Sequence, residues 1–242
     1  MTTRTTDQPT FDYAGAGTRA GKSALGHVGV RQLLVDTART LFVNGVMSHT
    51  GHANLSARVD ADSMMLTIEG QVRDLDTSHL ALVGLDGTVL EGQLDPTNAE
   101  IVAMHSEIYR ARPAVGGIIH THSPHLLAFA LANQPLPCRY EALLRFGQAS
   151  EVPVVPWAPR GSPRSVGGIL ETLAAKPDTQ AVLLGNHGVL VFGPTSAQAA
   201  ALLTVLEEAA EAELAATALG GVKDLPAGAL DDVLASMAKA RS

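Results

Sequence analysis

A single three-layer α/β/α domain with a mostly antiparallel central sheet is the α/β fold class that this sequence predicts, on three observations. The elements come in mixed order: a helix, several strands joined by tight turns, then helices alternating with strands, which suits helices on both faces of one sheet. The 242 residues suit one large domain, and 46% of them are hydrophobic, enough for a sizeable core. No internal repeat or linker divides the chain. Residues 27–242 are therefore expected to form one domain behind a disordered tail, residues 1–26, rich in Thr, Gly, Asp and Ser.

Taken in chain order, Leu33, Leu34, Ala38, Leu41 and Phe42 share one face of a helix over Val28–Asn44, stopped by Gly45. Asn54–Val59 and Met64–Thr67 read as short strands. Leu80–Leu85 and Thr88–Leu90 make a hairpin around Asp86-Gly87, a pair that tolerates the turn's positive φ angles. Thr97 or Asn98 is placed to cap a helix that runs to Ala111 before Pro113. Val115–His122 follows as a strand, and Ser123-Pro124 opens a helix through Leu131. Val152–Val155 is a strand and Pro163–Ala175 a helix. Gln180–Leu184 and Gly188–Phe192 are strands on either side of Gly185-Asn186-His187-Gly188. Thr195 or Ser196 caps a long Ala/Leu/Glu helix to Leu219, and Gly228–Ala240 is a last amphipathic helix.

Composition excludes several functions. A net charge of -7 leaves no basic patch to neutralise nucleic-acid phosphates. No run of about 18 apolar residues is present to span a bilayer, and the polar, Thr-rich N-terminus does not read as a signal peptide. Cys138 is the single cysteine, so neither a disulfide framework nor a Cys-rich zinc module is expected, in keeping with a cytoplasmic protein. Aromatics are only 4%, so the core must be built from Ala, Leu and Val.

The chemistry concentrates on histidines. In Gly116-Gly117-Ile118-Ile119-His120-Thr121-His122, residues two apart on a strand share a face, so His120 and His122 aim both imidazoles at one point. Such convergence suits one divalent ion per chain, zinc first, with manganese, cobalt or iron as alternatives. Two imidazoles make a weak site. His187, in a Gly-flanked turn between apolar strands, is the best third ligand. Three histidines with an open fourth position describe a catalytic metal; the plain alternative is a polar patch at a strand end.

Pro96-Thr97-Asn98-Ala99-Glu100, then His105, Tyr109, Arg112-Pro113, His120-Thr121-His122-Ser123-Pro124 and Gly185-Asn186-His187-Gly188 together resemble the class II aldolase/adducin family, whose members include the fuculose-phosphate aldolases. Gly51-His52-Ala53-Asn54-Leu55-Ser56-Ala57-Arg58 looks like a variant of that family's Gly-Asn-Ile-Ser-x-Arg segment. The resemblance runs from about Arg31 to Leu219. It implies that His120, His122 and His187 are the metal ligands, that Glu100 is the acid/base, and that the chain assembles as a homotetramer acting on a small molecule. The family holds sugar-phosphate aldolases, an epimerase, dehydratases, decarboxylases, iron oxygenases and the non-catalytic adducin heads, so membership leaves the reaction open.

Departures from the pattern narrow the choice. Where a hydroxyl-rich phosphate loop is expected, Thr67-Ile68-Glu69-Gly70 stands, and a carboxylate at Glu69 repels a phosphate dianion unless it points away. Asn98-Ala99 supplies no hydroxyl before the acid, and Ala53 replaces a glycine. Glu100 stands five residues before His105 and twenty before His120, one more than the family spacing in each case. An ungapped comparison puts Ile101 at the acid position, and a further residue in the first helical turn would bring Glu100 inward. The alternative for Glu100 is a first-turn carboxylate favoured by the helix dipole. Pro156-Trp157-Ala158-Pro159-Arg160-Gly161-Ser162 replaces a tyrosine-bearing segment, and no tyrosine follows Tyr140.

Substrate contacts are assigned to Asn54 on the pocket floor, Gly70 in the loop, Trp157 as a wall with Phe146, and Arg145 and Arg160 as carboxylate clamps. Ion-paired or solvated arginines are the alternative. His52 is assigned to the pocket floor with Asn54, and His125, at the helix start after the ligand strand, to the surface or to a supporting place behind the ligands, while His27, His49, His79 and His105 are read as structural. The expected function is a metal-dependent carbon–carbon lyase, a decarboxylase or aldolase, acting on a small, non-phosphorylated hydroxy- or oxo-carboxylate. Alternatives are a sugar-phosphate aldolase or epimerase, an iron-dependent oxygenase, and an adducin-like association module.

Overall fold

The computed structural model describes residues 26–240, so the tail expected over residues 1–26 lies outside them, apart from Gly26. In chain order the elements are α1 (Gly26–Val43), β1 (Ala53–Arg58), β2 (Ser63–Thr67), β3 (Leu80–Gly84), β4 (Val89–Glu91), α2 (Ala99–Ala111), β5 (Gly117–Thr121), α3 (Pro124–Ala132), α4 (Glu141–Arg145), β6 (Val154–Val155), α5 (Pro163–Ala175), β7 (Ala181–Leu184), β8 (Gly188–Gly193), α6 (Ser196–Ala216) and α7 (Ala229–Lys239). Among the described residues the strands form one sheet in the order β4-β3-β2-β1-β5-β8-β7-β6. β6 pairs parallel with β7, and the other described neighbours pair antiparallel.

Strand alternation divides the core in two. Leu55, Ile119, Val189 and Val191 face α1, α3 and α6. Met64, Ile118, Leu190 and Phe192 face α2 and α5. The three-layer arrangement and the aliphatic core both follow from that alternation, and α2 and α5 cover the sheet face onto which His120 also points, two residues along from Ile118.

Three local differences from the sequence reading bear on the site. His122 falls just past the end of β5 rather than on the strand. Neither Thr97 nor Asn98 caps α2 with its side chain. Asp95 instead caps a 3₁₀ turn over Pro96–Asn98, accepting from Thr97 N, and the Asn98 amide turns away to donate to Ile68 O at 2.6 Å. The short helix α4 is unexpected, because five residues are too few for a periodic signal.

β5 and α6 approach unusually closely. A Cβ on Gly117 would stand 2.2 Å from Ser196 N, and one on Gly116 2.0 Å from Pro194 O. Glycine at both positions therefore lets the α6 N-terminus, capped by Thr195, sit against the strand that carries His120.

Candidate metal centre and active site

β5 delivers His120, the first residue past its end is His122, and the β7–β8 turn delivers His187. The ring centroids stand 5.1 Å apart for His120 and His122, 4.8 Å for His120 and His187, and 5.2 Å for His122 and His187. One ligand nitrogen from each lies within 4.8 Å of the others. The turn holding His187 is pinned from α3: Asn186, at φ +57°, donates its backbone N–H to Ala130 O at 2.9 Å. Its side-chain oxygen accepts from Asn133, itself left-handed at φ +51°. Gly188 is needed beside them, since a Cβ there would meet Thr121 O and His122 Cδ2 at 2.6 Å.

The donor set fits a divalent ion. His120 Nδ1 donates to Val189 O at 3.0 Å, which leaves Nε2 unprotonated for a metal. His122 Nε2 is buried without a hydrogen-bond partner among the described residues, a costly arrangement that a ligand bond would relieve. Burial first, and then the neighbouring histidines, hold His120 well below the ordinary imidazole range and His122 at about 4. Burial, then the Arg160 charge, lowers His187 as well. All three are neutral at pH 7, as metal ligation requires.

Beside this triad runs a buried polar chain. Asn54 is the register partner of His120 across β1 and β5. Its Oδ1 accepts from His105 Nε2 at 2.7 Å, His105 Nδ1 accepts from Ser56 Oγ at 2.7 Å, and Ser56 Oγ accepts from Tyr109 at 2.8 Å. The donor directions follow from the acceptor-only Asn54 oxygen, and they leave the Asn54 amide N–H₂ group free for other contacts. The sequence offers His105 no partner, yet the structure gives it two. Its spacing from Tyr109, one helical turn along α2, was the available signal.

Burial depresses His105 to about 3, against 6.5 for an unfolded chain. Below pH 6.5 the unfolded state binds a proton that the folded state refuses. Stability is therefore full above pH 6.5 and falls by about 1.4 kcal/mol per pH unit as pH drops toward 3. Urea midpoints of the metal-free protein at pH 7 and pH 5 should show this loss, and a pH-independent midpoint would contradict a buried neutral His105.

A cavity of about 440 Å³ opens over the triad between α2 and α5. His52, Asn54, Glu100, Glu107, His120, Arg160, Ser162, Ser165 and His187 form its polar wall, while Ile101, Met104, Val166, Leu170 and Leu184 form an apolar one. An adjoining space of about 360 Å³ shares His52, Asn54, Glu100 and Arg160 and adds Gly70 and Thr97. The His52 ring stacks on His122 at 5.3 Å and 10°. Glu100 does reach the cavity, which it and Ile101, the first and second residues after the α2 start, both line. The Glu100 carboxylate stands outside the histidine cluster, and Arg160 Nε donates to its Oε1.

Three expected contacts lie elsewhere. Arg145 turns back along α4 to pair with Glu141 at 2.7 Å, and it does not line the cavity. Trp157 is 56% exposed and lines a separate groove along α5 with Pro163 and Gly167. Phe146 packs against the core on the opposite face of the sheet. The apolar wall comes instead from aliphatic residues of α2, α5 and β7. Glu69 is exposed and does not line the cavity, so it does not oppose an anion there.

The family model for the class II aldolase and adducin N-terminal domain matches residues 32–214. Over 208 residues the chain is 27% identical to 5-methylthioribulose-1-phosphate/5-deoxyribulose-1-phosphate aldolase of Rhodospirillum rubrum, covering 86% of this chain and 90% of that one. It is 29% identical over 219 residues to 3,4-dihydroxyphthalate decarboxylase of Arthrobacter keyseri, covering 84% and 86%. An L-fuculose 1-phosphate aldolase structure superposes with a TM-score of 0.74 at 23% identity, covering 86% of this chain and 95% of that chain, a likeness of fold.

Proposed function

Because this chain belongs to the class II aldolase and adducin family and is a divalent-metal-dependent lyase, we propose that it is a zinc-dependent decarboxylase of a small, non-phosphorylated hydroxy- or oxo-carboxylate. The observation that carries this reading is the makeup of the cavity over the triad. Its one lining cation, among the described residues, is Arg160, and its far wall is aliphatic. A phosphate dianion calls for several donors. In the polar subsite the Thr97 hydroxyl donates to Asp95 at 2.7 Å and the Asn98 amide to Ile68 O, which leaves the Ser162 and Ser165 hydroxyls, at the α5 N-terminus, as the hydroxyl donors beside Arg160.

An ion held by His120, His122 and His187 supplies a Lewis acid for a substrate hydroxyl or carbonyl oxygen and for the charge left when CO₂ departs. Asn54, held by His105, offers its amide to an oxygen at that position. Glu100 takes the proton of the substrate hydroxyl and returns it to the carbon that CO₂ leaves, and the oxyanion that remains on the product takes a proton from water as the product is released. Ile101, Met104, Val166 and Leu170 exclude water while the carbanion-like charge exists.

Aldol cleavage is the second reading, supported by the Rhodospirillum rubrum relative. It fits less well, because the tyrosines of the described residues stand away from the cavity: Tyr109 is buried in the polar chain and Tyr140 contacts Glu208. Assembly as a homotetramer and residence in the cytoplasm belong to the same proposal. They rest on the family and on Cys138, a half-buried thiol near Gln148 O.

The test is CO₂ release from zinc-loaded protein with a panel of hydroxy- and oxo-carboxylates, each with and without a phosphate. Turnover of unphosphorylated members is expected, and Glu100→Gln should lower kcat about 10²- to 10⁴-fold with metal content unchanged. Turnover confined to phosphorylated members would overturn the reading.

A further inference from the structure

The Glu100–Arg160 pair has a geometry that a simple clamp does not need. Arg160 meets one carboxylate oxygen, Oε1. The backbone of Gly161, at φ +74°, closes on the other, and a Cβ there would stand 2.5 Å from Oε2. The turn after Pro159 is thus built around the Glu100 carboxylate. Glu100 is mostly buried, at 20% side-chain exposure, whereas the guanidinium is open to solvent at 53%. Arg160 also lies close enough to His52 and His187 for its charge to reach both. The acid/base and the carboxylate clamp therefore occupy one another in the free protein, beside the metal ligands.

We propose that this pair is a latch opened by exchange: a substrate carboxylate takes Arg160 from Glu100, and Glu100 is released to move its proton. The inference rests on the carboxylate-lyase reading above and adds a substrate class. The carboxylate that takes Arg160 is one that the reaction leaves in place. A guanidinium gripping the departing group would stabilise the substrate against forming neutral CO₂ and so raise the barrier. The substrate is accordingly a dicarboxylate with a hydroxyl or oxo group. One carboxylate sits on Arg160, the other is lost beside the metal, and an apolar body lies against Ile101, Met104 and Val166. The exchange makes and breaks only ion pairs, so no co-reactant is needed. It also keeps Glu100 occupied until a ligand of the right charge arrives.

The experiment is calorimetric binding of 3-hydroxybenzoate, and of phenol as its carboxyl-free counterpart, to zinc-loaded protein. The variants are Glu100→Gln, Arg160→Ala and the pair. In Glu100→Gln the guanidinium loses its charged partner, and 3-hydroxybenzoate is expected to bind about three- to tenfold tighter, a modest gain because the pair is partly exposed. Arg160→Ala should weaken it about tenfold or more and abolish the gain from Glu100→Gln, each change being read as the ratio of 3-hydroxybenzoate to phenol affinity, since both ligands carry the hydroxyl that Glu100 meets. If Glu100→Gln does not tighten 3-hydroxybenzoate, the latch fails and the lyase reading stands. A gain of the same size without Arg160 would mean that Glu100 merely repels anions, and would also overturn the latch. If the parent with full zinc content binds 3-hydroxybenzoate no better than phenol, the carboxylate-lyase reading itself fails, and the latch with it.

Discussion

Replacing His120 and His122 together by alanine is expected to remove the ion and to lower activity by about 10³-fold or more. The parent should carry about one equivalent of zinc per chain, read by elemental analysis after reconstitution, and the double variant close to none. The size of the effect follows from the role: a bound Lewis acid supplies several kcal/mol of charge stabilisation in the transition state, and each 1.36 kcal/mol is a factor of ten. The geometry makes the loss selective. His122 Nε2 has no hydrogen-bond partner among the described residues, so that ring contributes no bond to the sheet, whereas His120 gives up one bond, Nδ1 to Val189 O. The metal-free variant should therefore unfold only modestly more easily than the metal-free parent, by about the 1 kcal/mol of one buried hydrogen bond plus the volume of the lost ring. A parent that binds no metal even after reconstitution would sink the enzyme reading.

The second large effect is on folding. In Gly117→Ala the new methyl would stand 2.2 Å from Ser196 N, 2.4 Å from Ser196 Cα and 2.6 Å from Thr195 C. All three are backbone atoms at the α6 N-terminus, so no rotamer change relieves the clash and strand or helix must move. A loss of about 3–5 kcal/mol, or failure to accumulate soluble protein, is expected. Gly167→Ala in α5 is the control, because a Cβ there meets nothing within 4 Å, and helix propensity predicts a gain of about 0.5–1 kcal/mol. Urea midpoints distinguish the two. A Gly117→Ala protein as stable as the parent would mean that β5 and α6 do not approach as closely as described. Because β5 carries His120, the same variant, if it folds, should also lose metal affinity.

The fold was legible in the sequence wherever its cause was local. The Asp86-Gly87 hairpin, the Pro163 start of α5 and the period-two alternation through β5 and β8 each follow from backbone chemistry within a few residues. The clustering of His120, His122 and His187 was legible because short spacing and a glycine-flanked turn bring the rings together, even though His122 lies just past the end of β5. His105 was illegible, because its acceptor Asn54 and donor Ser56 are on another element some fifty residues away. The aromatic wall expected from Trp157 and Phe146 is absent for a related reason. Which way a loop residue points depends on what its neighbours bury, and here α2 and α5 fill the space with Ile101, Met104 and Val166.

By itself, then, the sequence determined the α/β class, the strand that presents His120 with His122 just beyond it, the glycine-flanked turn that presents a third imidazole, and the want of a tyrosine after Tyr140. Those features depend on residue type and short spacing, which chain geometry converts directly into direction. Tertiary structure alone decided that Glu100 meets Arg160 across sixty residues, that Arg145 is spent on Glu141, and that Trp157 faces outward. A charge or a ring finds its partner through the packing of whole elements, and that packing is set by the buried aliphatic faces of the sheet and helices rather than by the polar residues they carry into contact.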